Sequence, residues 1–426
     1  MKRTQLYKEA FVASLLVIAV DILLSFVPWK FELIRPIKQG FNDFNVDDLR
    51  YSQADPMVSK KDTGITILEI GNTRREIAEE ITRVTALHPR AIGIDAIFFA
   101  PTPPAASQPA PGHAAASQAA ASQPDEDSAL IHAVRDARNL VLASKYTLDA
   151  KSTGGFKSAA DSSTERMQTS FFEPAIPGVR DGFFNFVEGP EDVKRHFTPF
   201  LTFNGQDYPS LTTRMLQELS PDAYQALLAR HNEIETINYA GNLSHYNVVS
   251  LERFFHPDNE DDLAAYFRDK IVFIGFFKDQ QPDVLEDMHF TPMNHRRGGK
   301  SFPDMYGVVI HANILEMMLG HHYINVMPLR EVYLVTFVII FFINIFYIRK
   351  VSRSHRHNHL LLFLLQFILA IGLLYLALLI FDLFDYTFDP MPMLIAVVLS
   401  FEIFWLYEWL AVKMNKLFHY KTILHD

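Results

Sequence analysis

The sequence predicts an α/β domain, a mixed sheet covered by helices, joined to a region of four transmembrane helices. Three observations carry this expectation. Four stretches stay apolar over about 20 residues, the length a helix needs to cross the hydrocarbon of a bilayer. The long segment between the first and second of them alternates β-rich runs with amphipathic helices, the pattern of a sheet with helical cover. Lys and Arg flank the four stretches unevenly, so that the basic flanks share one side.

Composition narrows the function classes. The chain has 426 residues, 49% of them hydrophobic with 36 Phe, which excludes a disordered protein. Its 39 Lys+Arg against 49 Asp+Glu exclude a general nucleic-acid binder. With no cysteine, thiolate metal sites, cysteine nucleophiles and a disulfide framework are all ruled out.

The predicted spans are roughly Tyr7 to Val27, Leu329 to Ile348, Leu360 to Phe381 and Met391 to Val412. Phe26-Val27-Pro28-Trp29 offers no small-x-small cleavage site, so the first reads as an uncleaved anchor. Lys2, Arg3 and Lys8 precede it; Arg349, Lys350, Arg353 and Arg356 form a basic loop after the second; Lys413, Lys416 and Lys421 follow the fourth. The loop between the third and fourth holds Asp382, Asp385 and Asp389 and no base. By the positive-inside rule both termini are cytoplasmic and the long segment is outside. The expected division is residues 1–28 for the stub and first span, 29–328 for the exterior domain, 329–412 for the remaining spans and 413–426 for a short cytoplasmic tail. Asp21, Asn344, Gln366 and Glu402 fall inside the spans, with Glu402 near mid-membrane. Polar groups in hydrocarbon need partners, so these four are expected to hold the bundle together or to dock a partner subunit, with Asn344 and Gln366 bonding to each other across their hairpin.

Within the exterior domain, residues 101–124 are a Pro/Ala/Ser/Gln insertion that cannot bury an apolar face and is expected to be disordered. Residues 151–166 read as a second exposed loop. Strands are expected at 65–70, 91–98, 139–143, 234–239 and 270–275, and helices at 72–87, 125–138, 211–219, 222–230, 263–267 and 308–319. Asn72-Thr73 with Glu76 gives the first of these helices a capping signature.

Several segments, in order, resemble the CHASE2 domain, an extracytoplasmic sensory module of bacterial signalling proteins. The opening ITILEIGNTRREIAEEI with HPRAIGIDAIFF is similar to its first strand-helix-strand. Asp181 to Phe186, Glu235 to Tyr239, Arg268 to Gly275, Asp287 with Phe290-Thr291-Pro292, and Gly307 to Asn313 resemble its G-x-x-N, I-N-Y, K-I-V-x-I-G, D-x-F-x-T-P and G-V-x-I-H-A-N motifs. Many members carry an acidic pair where this chain has Gly71-Asn72. The resemblance implies a multi-pass protein of the bacterial inner membrane whose large domain is periplasmic. Typical members continue into a kinase or cyclase, whereas 14 residues follow Val412, so an input module without its own output module is expected.

In open α/β sheets ligands bind beyond the carboxyl ends of the strands. Asp95, Asn185, Asp287, His289 and His311 lie at such ends or in the motif loops, and are the candidate ligand-binding residues. Capping and loop hydrogen bonding is the alternative role for each. The histidines match no compact metal motif, and no nucleophile elbow, P-loop or dinucleotide fingerprint is present. Neither a metal, a cofactor nor a catalytic residue is therefore expected, and the protein reads as a non-enzyme. Its expected partners are the lipid bilayer, a protein that supplies cytoplasmic output, and an unknown exterior ligand. A non-catalytic scaffold subunit of a bacterial envelope complex is the other reading.

Overall fold

Consecutive β-branched and aliphatic residues in Ile65–Glu69 (β1), Ala91–Ile94 (β2) and Ile271–Gly275 (β11) are buried on both faces, as central strands of a parallel sheet must be. The computed structural model describes residues 2–26, 48, 51, 63–99, 124–149, 164–186, 193–203, 205–278, 287–294, 303–353 and 359–418. The chain divides into two compact units, Tyr51–Tyr323 and a second unit that joins the first helix to Ile324–Asp426.

In the first unit, β1 lies between β11 and Asn247–Val249 (β10), and β11 pairs in turn with β2, all in parallel. Beyond β2 comes Leu140–Asp149 (β3), whose first half pairs parallel with Arg180–Phe183 (β5) and whose second half pairs antiparallel with Thr164–Gln168 (β4). The sheet is mixed, as expected. Three expectations are corrected, and one strand was not foreseen. The second strand stops at Ile94 rather than at Phe98. The 234–239 run contributes only Glu235–Thr236 (β9), paired with His196–Phe197 (β6) outside the main sheet. Thr164 to Arg166, read as loop, begin β4. The edge position beside β1 belongs to β10, a three-residue strand the periodicity did not reveal.

Helices cover both faces. On one face Leu68, Ile92, Ile94, Leu140, Leu142, Val272 and Ile274 pack against Ile77, Ile81 and Val84 of Arg74–Ala86 (α2) and Leu130 and Val134 of Pro124–Asp136 (α3). Phe254 of Leu251–Phe255 (α6) and Leu263 of Glu260–Ala265 (α7) complete that layer. The capping box at Thr73 is formed with both bonds in place, so α2 starts where the sequence says. The opposite face carries Leu211–Leu219 (α4), Pro221–Arg230 (α5) and Gly307–Leu319 (α8). Met215 of α4 sits so close to Gly93 that a Cβ there would lie 2.5 Å from its sulfur, which explains a glycine in the middle of a strand. Short ladders formed by Phe200–Phe203 (β7) with Gln206–Pro209 (β8), and by Met288–His289 (β12) with Met305–Tyr306 (β13), finish the unit. Residues 101–123 and 151–163 lie outside the described residues.

In the second unit, Lys2–Ser25 (α1) packs with Leu329–Arg353 (α9), His359–Phe384 (α10) and Met391–Phe418 (α11). Leu329–Lys350, Phe363–Phe384 and Met391–Ala411 are long and apolar enough to cross a membrane. The expected first span is helical throughout its described part, with Lys8, Glu9 and Asp21 interrupting its apolar run. Asn325–Val326 (β14) pairs with Tyr386–Thr387 (β15), which brings the approach to α9 and the acidic α10–α11 loop to the same end of the bundle. That is the arrangement a run of antiparallel helices requires.

Candidate functional site

The carboxyl ends of β2, β11 and β5 converge on the start of α8. Asp95 is the first residue after β2; its amide still donates to the Ile274 carbonyl (2.9 Å), which anchors it at the sheet edge. Gly275, the last residue of β11, lets α8 close in: a Cβ there would meet Val308 at 2.7 Å and Asp95 at 3.3 Å. Asp287 precedes β12 in a left-handed conformation (φ 59°) that aspartate tolerates better than most residues. Its carbonyl accepts from the Gly307 amide (3.3 Å), tying it to the N-terminus of α8. His289 lies on β12, and His311 is one turn into α8 on the face of Gly307.

These residues surround one small space above Gly307. A methyl group placed on Gly307 would lie 3.5 Å from Asp95 Oδ2, 3.5 Å from His289 Nε2 and 3.7 Å from Asp287 Oδ2. His311 Nε2 is 3.8 Å from Asp95 Oδ1, and the two side chains are only 4% and 5% exposed. Neither ring nitrogen of His311 makes a hydrogen bond of normal geometry, although the Phe184 backbone lies alongside. Phe186 stacks on the His311 ring (centroids 4.7 Å apart) and meets the His289 ring edge-on (5.2 Å).

Burial sets the electrostatics. It raises the Asp95 carboxyl well above the usual range, and the neighbouring Asp287 raises it further. Asp287 itself is pushed up to about 6, again by burial. The imidazoles move the other way: burial, with help from Lys194, lowers His289 to about 4, and burial with help from His289 lowers His311 to about 3. Near neutral pH the site therefore holds two uncharged imidazoles and a carboxyl pair with less than its full negative charge. Among the described residues no group of three or more His, Asp and Glu is placed to hold a metal ion.

Four of the five candidate residues thus come together. Asn185 does not join them: its amide oxygen accepts from the Tyr146 amide (2.7 Å) and its nitrogen donates to the Tyr146 carbonyl (3.0 Å). That pair of bonds pins the end of β5 to β3 and so positions Phe186, the next residue, over His311. Phe186 and Gly307 were absent from the sequence-derived site. Gly307 was available in principle, because it lies four residues before His311 in the same motif and hence on the same helical face. Glu69, also at a strand end, is a structural group: Lys278 Nζ lies 2.5 Å from its Oε1, and the Leu251 amide donates to its Oε2 (3.1 Å).

The intramembrane candidates separate too. Asn344 of α9 donates to Ser14 Oγ of α1 (3.0 Å), and Gln366 of α10 donates to the Val397 and Val398 carbonyls of α11 (3.1 and 3.2 Å). The expected bond between Asn344 and Gln366 is therefore corrected: each ties its helix to a different neighbour. Asp21 is buried among the helices, with Oδ2 lacking a hydrogen-bond partner. Glu402 is exposed on α11. Of the basic loop, Arg349 and Lys350 are exposed, Arg353 ends α9, and Arg356 lies outside the described residues.

Compared with known families, the chain matches the profile of the CHASE2 domain over residues 62–345, from just before β1 into α9. No curated protein and no solved structure matches it.

Proposed function

The chain belongs to the CHASE2 domain family, and from that premise we propose that it is a membrane-embedded, non-catalytic sensory subunit that reads its signal at the Asp95–Asp287–His289–His311 cluster. One observation carries the reading. Four ionisable groups from three separate stretches of the sequence meet around Gly307, at the first turn of the helix that leads directly to the membrane region. Only Gly320 to Pro328 separate α8 from α9 in the chain. A change in proton or ligand occupancy at the cluster alters the seat of α8, and α8 pulls on the connector and α9. Rigid-body shifts of helices by an ångström or two are an established mode of such transmission.

The sidedness of the reading rests on charge. Four spans, both termini in the cytoplasm and the α/β unit in the periplasm put Arg349, Lys350 and the Lys413 region on the cytoplasmic side of a bacterial inner membrane. The output is supplied by a separate cytoplasmic protein, for which this basic side is the available docking surface.

Affinity purification of the full-length protein in mild detergent, with mass spectrometry of what accompanies it, tests the proposal. A kinase, cyclase or regulatory protein whose recovery changes in Asp95→Asn or Gly307→Ala supports the sensor. Envelope proteins in fixed ratio, indifferent to both substitutions, would instead establish a scaffold subunit.

A further inference from the structure

The four polar residues inside the membrane helices do not share one role. Asp21, Asn344 and Gln366 are buried in the bundle, whereas Glu402 is exposed. It is the twelfth residue of the 21-residue stretch Met391–Ala411, about 16 Å along it at 1.5 Å per residue, and so about the middle of a hydrocarbon core roughly 30 Å thick. Among the described residues it makes no hydrogen bond and no ion pair. Ile395, Val398, Leu406 and Trp409 are exposed with it, at spacings of three and four that make one continuous face of α11. The opposite face, with Ala396, Val397, Ile403 and Phe404, is packed in the bundle.

An apolar stripe alone would be a lipid-facing surface. A carboxyl in its centre changes the balance, because a lone acid facing lipid costs several kcal/mol. A second copy of the chain offers no matching charge at this depth, since the Lys and Arg of its spans, Lys8 and Arg330, lie at the span ends. We propose that this face of α11 is the docking site for a transmembrane helix of another protein, and that the helix carries a Lys or Arg at mid-membrane depth to pair with Glu402. The flanking Val398 and Leu406 would pack against it, and Trp409, with Lys413 Nζ 4.6 Å from its ring centroid, marks the interfacial end of the contact.

Photo-crosslinking in intact membranes tests this, with a photoreactive residue at Val398 or Leu406 of the full-length chain. The expected result is an adduct whose attached peptide comes from an apolar helix holding a Lys or Arg within one turn of the contact. Its yield falls about tenfold in both Glu402→Leu and the isosteric Glu402→Gln, as loss of an interhelical polar contact of 1–2 kcal/mol predicts. Exchanging the charges, with Glu402→Lys against a Glu in the partner, restores it. Adducts with a second copy of this chain, with lipid only, or with a helix indifferent to both Glu402 substitutions would each overturn the proposal.

Discussion

Glu80 shows how a single residue can set the pH response of the α/β unit. It is buried on α2, both carboxyl oxygens lack a hydrogen-bond partner of normal geometry, and burial pushes it up to about 9. Its Oε1 would lie 2.8 Å from a Cβ on Gly71, and Glu76 Cβ only 2.7 Å, so the glycine here is what admits the helix. Between its ordinary value of 4.5 and about 9 the folded state holds a proton that the unfolded state has lost. Stability therefore falls as pH rises across that window. Glu173, raised to about 7 by burial, adds to the fall up to that pH. Thermal melts of Glu80→Gln at pH 6 and pH 9 should show a smaller loss on the alkaline side than the parent shows. At the site, Asn185→Ala removes the clamp on Tyr146, leaves its backbone groups to find new partners and frees Phe186. Denaturant unfolding should show a loss of about 1–3 kcal/mol.

At the scale of elements, α2 and α3 are joined by Arg74, which is buried. It pairs with Asp127 and the Phe99 carbonyl and lies 4.9 Å from the Phe171 ring centroid. Arg74→Met removes a buried guanidinium from Asp127 and from the Phe99 carbonyl, and should destabilise by about 3 kcal/mol in chemical unfolding, the scale of a broken buried pair. The elements legible in the sequence were those with a strong local signature. Strands β2 and β11 are uninterrupted apolar runs, β1 is a β-branched and aliphatic run ending on Glu69, and α2 announces itself by its capping box. Strand β10 was not legible because three residues beginning with Asn247 carry no periodicity, and β4 was hidden in a polar stretch whose place is fixed by pairing with β3. The site divides in the same way. Strand-end position and motif resemblance pointed to Asp95, Asp287, His289 and His311. Their meeting around Gly307 was not legible, since it depends on where β2, β12 and α8 lie in space. Asn185 was found at the right place, with its amide directed to the backbone instead.

For the whole molecule, the central claim is that the state of the cluster around Gly307 reaches the membrane helices. The absence of native cysteine makes this directly measurable, because introduced cysteines are the only labelling sites. Arg349 of α9 and Lys413 of α11 are both exposed near the ends assigned to the cytoplasm. Spin labels at Arg349→Cys and Lys413→Cys, in full-length protein reconstituted in lipid nanodiscs, report the distance between those ends by pulsed electron resonance. The account predicts that Gly307→Ala, which fills the space between Asp95, Asp287 and His289, and Asp95→Asn each shift the distance distribution by about 1–2 Å, the usual size of a transmitted helix shift. Distributions that superimpose on the unmodified site, in variants that keep the folded α/β unit, would contradict it.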